Sequence, residues 1–471
     1  MKTYIYISFL ALFTFSILGG CKISKDVLIP TDAVPDAYRN ASSLDSSSIA
    51  SFSLHEFFDE AGLKGLIDSA LVRNYDLQLA IKNIESAELL FRQSKLGSLP
   101  DLRLQVTANS TRPSDNSLNG LSAGQFLNTT HIEDFNANIG LNWEADIWGK
   151  VKNQKKAAIA TYLQADEVKK AIQTRLIANV ANGYYNLLMM DEQLAIATRN
   201  LALSDSTLRI IKLQFEAGQV TSLGIHQAEA QRLVAAQLIP RLEQNIAVQE
   251  NALGILTGKL PGPISRLSTL GQTRVTKLLN PGIPSQMVSR RPDVKRAELA
   301  LQIANARVGM SKASLYPTLN ITAGAGLNAL KASDWFNIPA SLFGVAAGGI
   351  TQPIFQRKQL KTQYELSKIE REKVVIEFRQ SVLLAIADVS DELVKLEKLN
   401  EEYDIALRKV AALKNAVSNS NMLFKQGMAT YLEVITAQSN TLQSELELSA
   451  IKTAQLSASV ELYRALGGGI N

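Results

Sequence analysis

The feature that most constrains this chain is a pattern that it carries twice. FEAGQVTSLGIHQAE, from Phe215 to Glu229, and FKQGMATYLEVITAQ, from Phe424 to Gln438, match at Phe215/Phe424, Gly218/Gly427, Thr221/Thr430, Leu223/Leu432 and Ala228/Ala437. In each, a glycine interrupts a long helical pattern and a fresh one begins within four residues, which predicts a turn between two helices. The duplication reaches beyond the turns. Asp293, Ala297, Ala304, Ser311, Lys312, Pro317 and Leu319 lie 217 positions after Asp76, Ala80, Ala87, Ser94, Lys95, Pro100 and Leu102. Farther on, Ala387, Val389 and Asp391 lie 209 after Ala178, Val180 and Asn182, and the turns keep that spacing. One offset on each side, with a net loss of eight between them, puts the length difference in the region between these blocks.

The elements follow from periodicity. From about Lys150 to Gln214 there is no proline, Gly183 is the only glycine, and Ile172, Leu176, Val180, Tyr184, Leu187, Leu194, Leu201, Leu208 and Ile211 keep a helical pattern. Roughly 65 residues at about 1.5 Å each make a rod of ~100 Å, which must lie against other rods. A returning helix is predicted from about Ser222 to Leu256, and the second copy repeats the pair at about Lys358–Phe424 and Thr430–Leu466. Ahead of the first pair, Phe57 to about Leu96 reads as an amphipathic helical region broken near Asn74. After Pro100 the period changes to two. Leu102, Leu104, Val106 and Ala108 alternate with Arg103, Gln105, Thr107 and Asn109, and Phe135, Ala137, Ile139, Leu141 and Trp143 alternate with Asn136, Asn138, Gly140 and Asn142. Such strands fit a half-buried soluble hairpin or a transmembrane β-hairpin. The second hairpin is predicted at Thr318–Leu327 and about Ser341–Gln352, its alternation diluted by Gly344, Gly348 and Gly349.

The N-terminus favours the membrane reading. Lys2 opens a basic start, residues 4–18 are a nearly uncharged apolar run, and Leu18-Gly19-Gly20-Cys21 closes it. The run is too short to span a bilayer and reads as an export signal. It resembles the bacterial lipobox, which implies cleavage before Cys21 and acylation of that residue. Cys21 is the only cysteine, so neither an intramolecular disulfide nor a multi-cysteine metal site can form. The organisation read from the chain is a signal peptide (1–20), an acylated tether (21–54), a first repeat (55–258), a linker (259–284) and a second repeat (285–471). The formal charge of +5 arises from 49 Lys+Arg against 44 Asp+Glu with no basic block, which argues against a nucleic-acid partner.

Four membrane-length strands cannot close a barrel, and an open edge in lipid leaves backbone groups unpaired at several kcal/mol each, roughly. If the strands span a membrane, the chain must oligomerise. The smallest transmembrane barrels, of about eight strands, are filled by side chains, so a solute channel needs at least three chains.

The motifs LPDLRL (Leu99 to Leu104), WEADIWGKV (Trp143 to Val151), ANVANGYYNLL (Ala178 to Leu188), FEAGQVTSLG, SRRPDVKRAE (Ser289 to Glu298), YPTLNIT (Tyr316 to Thr322), FKQGMATYLEVITAQ and LYRALGGG (Leu462 to Gly469) resemble, in this order, the TolC family of outer-membrane channels. The likeness is greatest to its lipoprotein branch, which serves resistance-nodulation-division (RND) efflux pumps. It implies an α+β membrane protein, internally duplicated, with long antiparallel coiled-coil hairpins and four transmembrane strands per chain. A homotrimer would complete a twelve-stranded barrel and an α-helical tunnel. The implied partners are a periplasmic adaptor, an inner-membrane RND transporter and outer-membrane lipid, and the role is passive export of drugs or other small molecules. The type I protein secretion exit channel uses the same fold, and a periplasmic coiled-coil scaffold without a pore is the alternative from another class.

The resemblance places the constriction just after the second turn, at Leu432, Glu433 and Thr436, with Thr436 standing where the family commonly has aspartate. It makes Gly218, Thr221, Leu223, Gly427 and Thr430 the adaptor-docking turns. Physically, the glycines supply positive φ at helix C-caps and the threonines cap the returning helices. Arg290-Arg291-Pro292-Asp293 reads as a helix start in which Asp293 favours the N-terminal dipole. Trp143, Trp148, Tyr316, Trp335 and Phe336 fall near strand ends, as interface aromatics do. His55, His131 and His226 are isolated, and no nucleophile, base and metal or phosphate site combine, so no enzyme, cofactor or metal is expected.

Overall fold

The computed structural model describes residues 23–30, 38, 49–274 and 281–470. The expected acylation at Cys21 therefore lies outside the described residues. We number eight helices and four strands: α1 (Ala61–Arg73), α2 (Tyr75–Leu96), β1 (Asp101–Thr111), β2 (Ile132–Ala145), α3 (Lys150–Glu216), α4 (Ser222–Leu256), α5 (Pro284–Arg290), α6 (Pro292–Ala313), β3 (Thr318–Ala329), β4 (Leu342–Thr351), α7 (Gln359–Lys425) and α8 (Tyr431–Ala465). The duplication is visible helix by helix. α3 and α7 each have 67 residues, α4 and α8 each 35, and α2 and α6 each 22. The strand-to-strand loop runs over 112–131 in the first copy and 330–341 in the second, which accounts for the eight lost residues.

The described residues form two compact units. One holds the sheet and comprises 23–29, 85–163 and 299–376. Its strands run in the order β1-β2-β3-β4, all antiparallel. Register puts one kind of chemistry on each face. Leu104 pairs with Ile139, Ile139 with Ala325 and Ala325 with Gly344, while Leu102, Leu141, Ala323 and Ala346 form the next apolar row. On the opposite face Gln105, Asn138 and Gly326 share a row, as do Thr107, Asn136 and Asn328. The Asn138 amide donates to Asn136 at 2.5 Å, and Asn328 donates to Asp134 at 2.7 Å. An apolar face with Leu102, Leu104, Val106 and Ile139 exposed, backed by an asparagine-rich face, is the pattern of a transmembrane barrel wall.

Aromatic residues gather at both ends of the strands. At one end Trp148 stacks on Tyr316 (centroids 4.7 Å apart) and donates to the Pro317 carbonyl, and Trp143 donates to the Ser98 carbonyl. At the other, Trp335 lies 5.5 Å from Phe135 and 5.2 Å from Phe336. Phe135 and Trp143 are eight residues apart on β2, or ~27 Å of strand, close to the roughly 25 Å apolar band of such barrels. Among the described residues, no helix is long and apolar enough to cross a membrane.

The other unit, 30, 38, 49–84, 164–274, 281–298 and 377–470, contains the main core. Tyr184, Leu187, Leu188, Leu253, Leu456, Leu462 and Tyr463 are fully buried there. Gly183, the one glycine of α3, has a packing reason: a Cβ on it would come within 2.7 Å of Leu253. Pro240 lies inside α4 without ending the helix. Residues after α4 return to the core through Arg266, which reaches Asp191 at 2.7 Å and also pairs with Glu250.

Candidate functional site: the paired turns

The two glycine turns share one small core. Leu208, Ile211, Ala228, Phe424 and Val434 are buried together, with Val220 and Ile225 from the first turn and Ala429, Tyr431 and Ile435 from the second packed on them. Each turn ends its long helix in the same way. Gly218 N–H donates to the Phe215 carbonyl at 2.9 Å and Gln219 N–H to Gln214 at 2.8 Å. Likewise Gly427 N–H donates to Phe424 at 3.1 Å and Met428 N–H to Leu423 at 2.9 Å. Both are Schellman closures, which need a residue with positive φ. Gly218 and Gly427 supply it at +69° and +72°, and an added Cβ would meet nothing within 4 Å at either. Backbone geometry alone, and not crowding, demands these glycines.

Past the glycines the turns diverge. Thr221 and Thr430 both sit in extended N-cap conformation. Glu433 reaches back so that its carboxylate accepts from Thr430 N–H at 2.6 Å and from the Thr430 hydroxyl at 3.2 Å, completing a capping box. The first copy has Gly224 in that position, covered by the Tyr431 ring; a Cβ there would lie 3.1 Å from it. Leu223 and Leu432 are 58% and 54% exposed, so each turn presents a large apolar side chain outward. Glu433 and Thr436, one helical turn apart on α8, are exposed as well. The structure thus packs the two turns on one core, with Tyr431 of the second against Gly224 of the first. It also gives Glu433 a capping task beyond the expected pore role, and the local signal for it is the Thr430-x-x-Glu433 spacing.

At the opposite end of α8, Arg291 has a larger role than the helix start expected from sequence. It is 5% exposed, and its guanidinium contacts Asp293 at 2.6 Å, Asp388 at 2.9 Å and the Ala385 and Ala465 carbonyls at 3.3 and 3.1 Å. Burial works against its charge, but the two carboxylates outweigh this and raise its pKa. Burial likewise works to raise Asp293, yet the bond to Arg291 and its charge hold that carboxyl below the usual value. Asp293 does stand in the first turn of α6, as expected, with its main partner being Arg291. His226 lies in α4 while His55 and His131 lie outside the numbered elements, and no group of three metal-binding side chains occurs among the described residues.

The model of the outer membrane efflux protein family matches residues 66–259 and 283–468, one span for each copy. The cation efflux system protein CusC of Escherichia coli K12 is 26% identical over 461 residues, covering 96% of this chain and 97% of its own. The solvent efflux pump outer membrane protein SrpC of Pseudomonas putida is 28% identical over 470 residues, with 98% of each chain covered. A CusC crystal structure covers 95% of this chain and 100% of its own at a TM-score of 0.85 and 25% identity. The chain belongs to the outer membrane efflux protein family and is the outer-membrane channel of an RND-type efflux pump, a trimer that works with a periplasmic adaptor and an inner-membrane transporter.

Proposed function

We propose that the paired turns are the periplasmic gate and docking surface of this channel. Leu432, Glu433 and Thr436 line the constriction, and Gly218, Thr221, Leu223, Gly427 and Thr430 shape the surface that the adaptor grips. The observation that carries this reading is the shared core beneath the two turns, which fixes both tips as one surface while leaving Leu223, Leu432 and Glu433 outward. Around a threefold axis, Leu432 side chains would close the tunnel by packing, and three Glu433 carboxylates would hold water and favour cations. The channel carries no chemistry of its own, and its cargo is a small molecule selected by the pump it serves. The relatives named for cations and for solvents fit a conduit whose selectivity is set elsewhere.

Planar-bilayer recording tests the gate. Leu432→Ala is expected to raise resting conductance, and Glu433→Ala to reduce cation preference; unchanged conductance and ion preference in both would remove the constriction from this site. We also propose that Cys21 carries the lipid anchor. Cys21→Ser should lose its acyl mass by mass spectrometry while the trimer stays membrane-inserted, because the barrel holds it independently; release from the membrane would contradict that independence.

A further inference from the structure

Every residue that hydrogen-bonds the Arg291 guanidinium in the second repeat has a counterpart in the first, and those counterparts line a cavity of about 370 Å³. At the 217 offset Asp293 corresponds to Asp76; at the 209 offset Asp388, Ala385 and Ala465 correspond to Asn179, Leu176 and Leu256. All four counterparts are on the cavity wall. Arg291 itself corresponds to Asn74, whose side-chain amide donates to the Leu256 carbonyl at 3.1 Å, as Arg291 donates to the Ala465 carbonyl at 3.1 Å. The first repeat has therefore kept one carboxylate and the two carbonyl-bearing positions around the guanidinium, but not the arginine. Asn74 is too short to fill the space, and Asp76 has no ion-pair partner among the described residues.

We propose that this cavity is a binding site for a small planar cation bearing a guanidinium or amidinium group. The Asp76 carboxylate would take the fork that Asp293 takes from Arg291, with the Asn179 side-chain oxygen in place of one Asp388 oxygen. A planar donor suits the site better than an ammonium, because the acceptors are spread around a flat group and a fork meets several at once. One carboxylate stands where the second repeat has two, so binding is weaker than the intramolecular arrangement. Arg175 also lines the cavity, where the second repeat has Leu384, and its positive charge opposes a cationic ligand.

The test is calorimetric titration of the full-length, detergent-purified trimer with methylguanidinium chloride, against methylammonium chloride at equal ionic strength. The expected result is one site per subunit, with methylguanidinium preferred by about tenfold or more. Asp76→Asn should weaken that binding by about tenfold or more, since a charge-assisted bond is lost. Asn74→Arg places a tethered guanidinium in the cavity and should abolish binding while raising Tm. Equal affinity for the two ions, or unchanged binding in Asp76→Asn, overturns the proposal, and either result is available should Asn74→Arg not fold. Binding that appears only in Arg175→Leu also overturns it, because Arg175 would then be the cation that the cavity already holds.

Discussion

The two repeats agree in backbone and disagree in how their helix ends are fastened. Their long helices have equal lengths, and their turns close with the same hydrogen bonds. The second repeat then adds a buried arginine clamp at one end of its returning helix and a Thr430–Glu433 capping box at the other. In the same positions the first repeat has Asn74 beside a cavity, and Gly224 beneath Tyr431. Midway along the helix it has Pro240, where the second has Ser449, whose hydroxyl accepts from Gln193 at 3.2 Å. Duplication thus preserved what helix geometry dictates and released the side chains. The second hairpin has an ion-paired clamp at one end and a capping box at the other, where the first has a single amide bond and no box.

The largest test of this contrast is Arg291. Removing a buried cation strands two carboxylates and two carbonyls, so Arg291→Leu should cost about 3–5 kcal/mol. Asn74→Ala, which breaks one amide bond beside a cavity, should cost only ~1 kcal/mol. Thermal denaturation of the two trimers, read as loss of helical signal, compares them directly. Equal losses would mean that the two repeats are fastened alike.

Glycine substitutions should instead treat the repeats equally at the turns. Gly218→Ala and Gly427→Ala each force a β-carbon into left-handed backbone at about 1–2 kcal/mol, with no clash to add at either site. The strand-to-helix junctions break the symmetry: Gly149 has φ +73°, whereas its counterpart at the 209 offset, Lys358, has φ +61°. Lys358→Gly should therefore stabilise the trimer, by less than ~1 kcal/mol because glycine also frees the unfolded chain. Melting temperatures of the three variants give the comparison, and a stabilising Gly218→Ala would sink the account of the turns.

Much of this fold is legible in the sequence because periodicity is local. The helix Ser222–Leu256 is bounded to the residue by its turn signals, and the strand pairs fall where the period changes from 3.6 to two. The eight-residue difference between the two offsets falls in the loop between paired strands, the segment on which helix and strand geometry make the fewest demands. What cannot be read is tertiary. Arg291 looks like one of two adjacent basic residues until α7 and α8 bring Asp388 and Ala465 to it from 97 and 174 positions away. Gly224 gives no hint of Tyr431, which lies in the other repeat. Glu433 is a different case, since Thr430-x-x-Glu433 is a local capping signal and one carboxylate can cap a helix while also facing a pore.

The smallest effect is the acid sensitivity of Asp293, the aspartate that opens α6. Asp293 has a folded-state pKa below its unfolded value, because its bond to the Arg291 guanidinium outweighs the penalty of burial. Such a group contributes stability that is fully present above the unfolded pKa of about 3.9 and is lost as pH falls through the folded value. The advantage of the wild-type trimer over Asp293→Asn should accordingly be constant from neutral pH down to about pH 4 and shrink below it. Asp76→Asn removes no ion pair among the described residues and supplies the reference curve. Melting temperatures measured from about pH 7 to about pH 3 check the sign. If the Asp293→Asn deficit grew as pH fell, Asp293 would be held by something that prefers its protonated form, and the arginine clamp would not be what distinguishes the second repeat at this end.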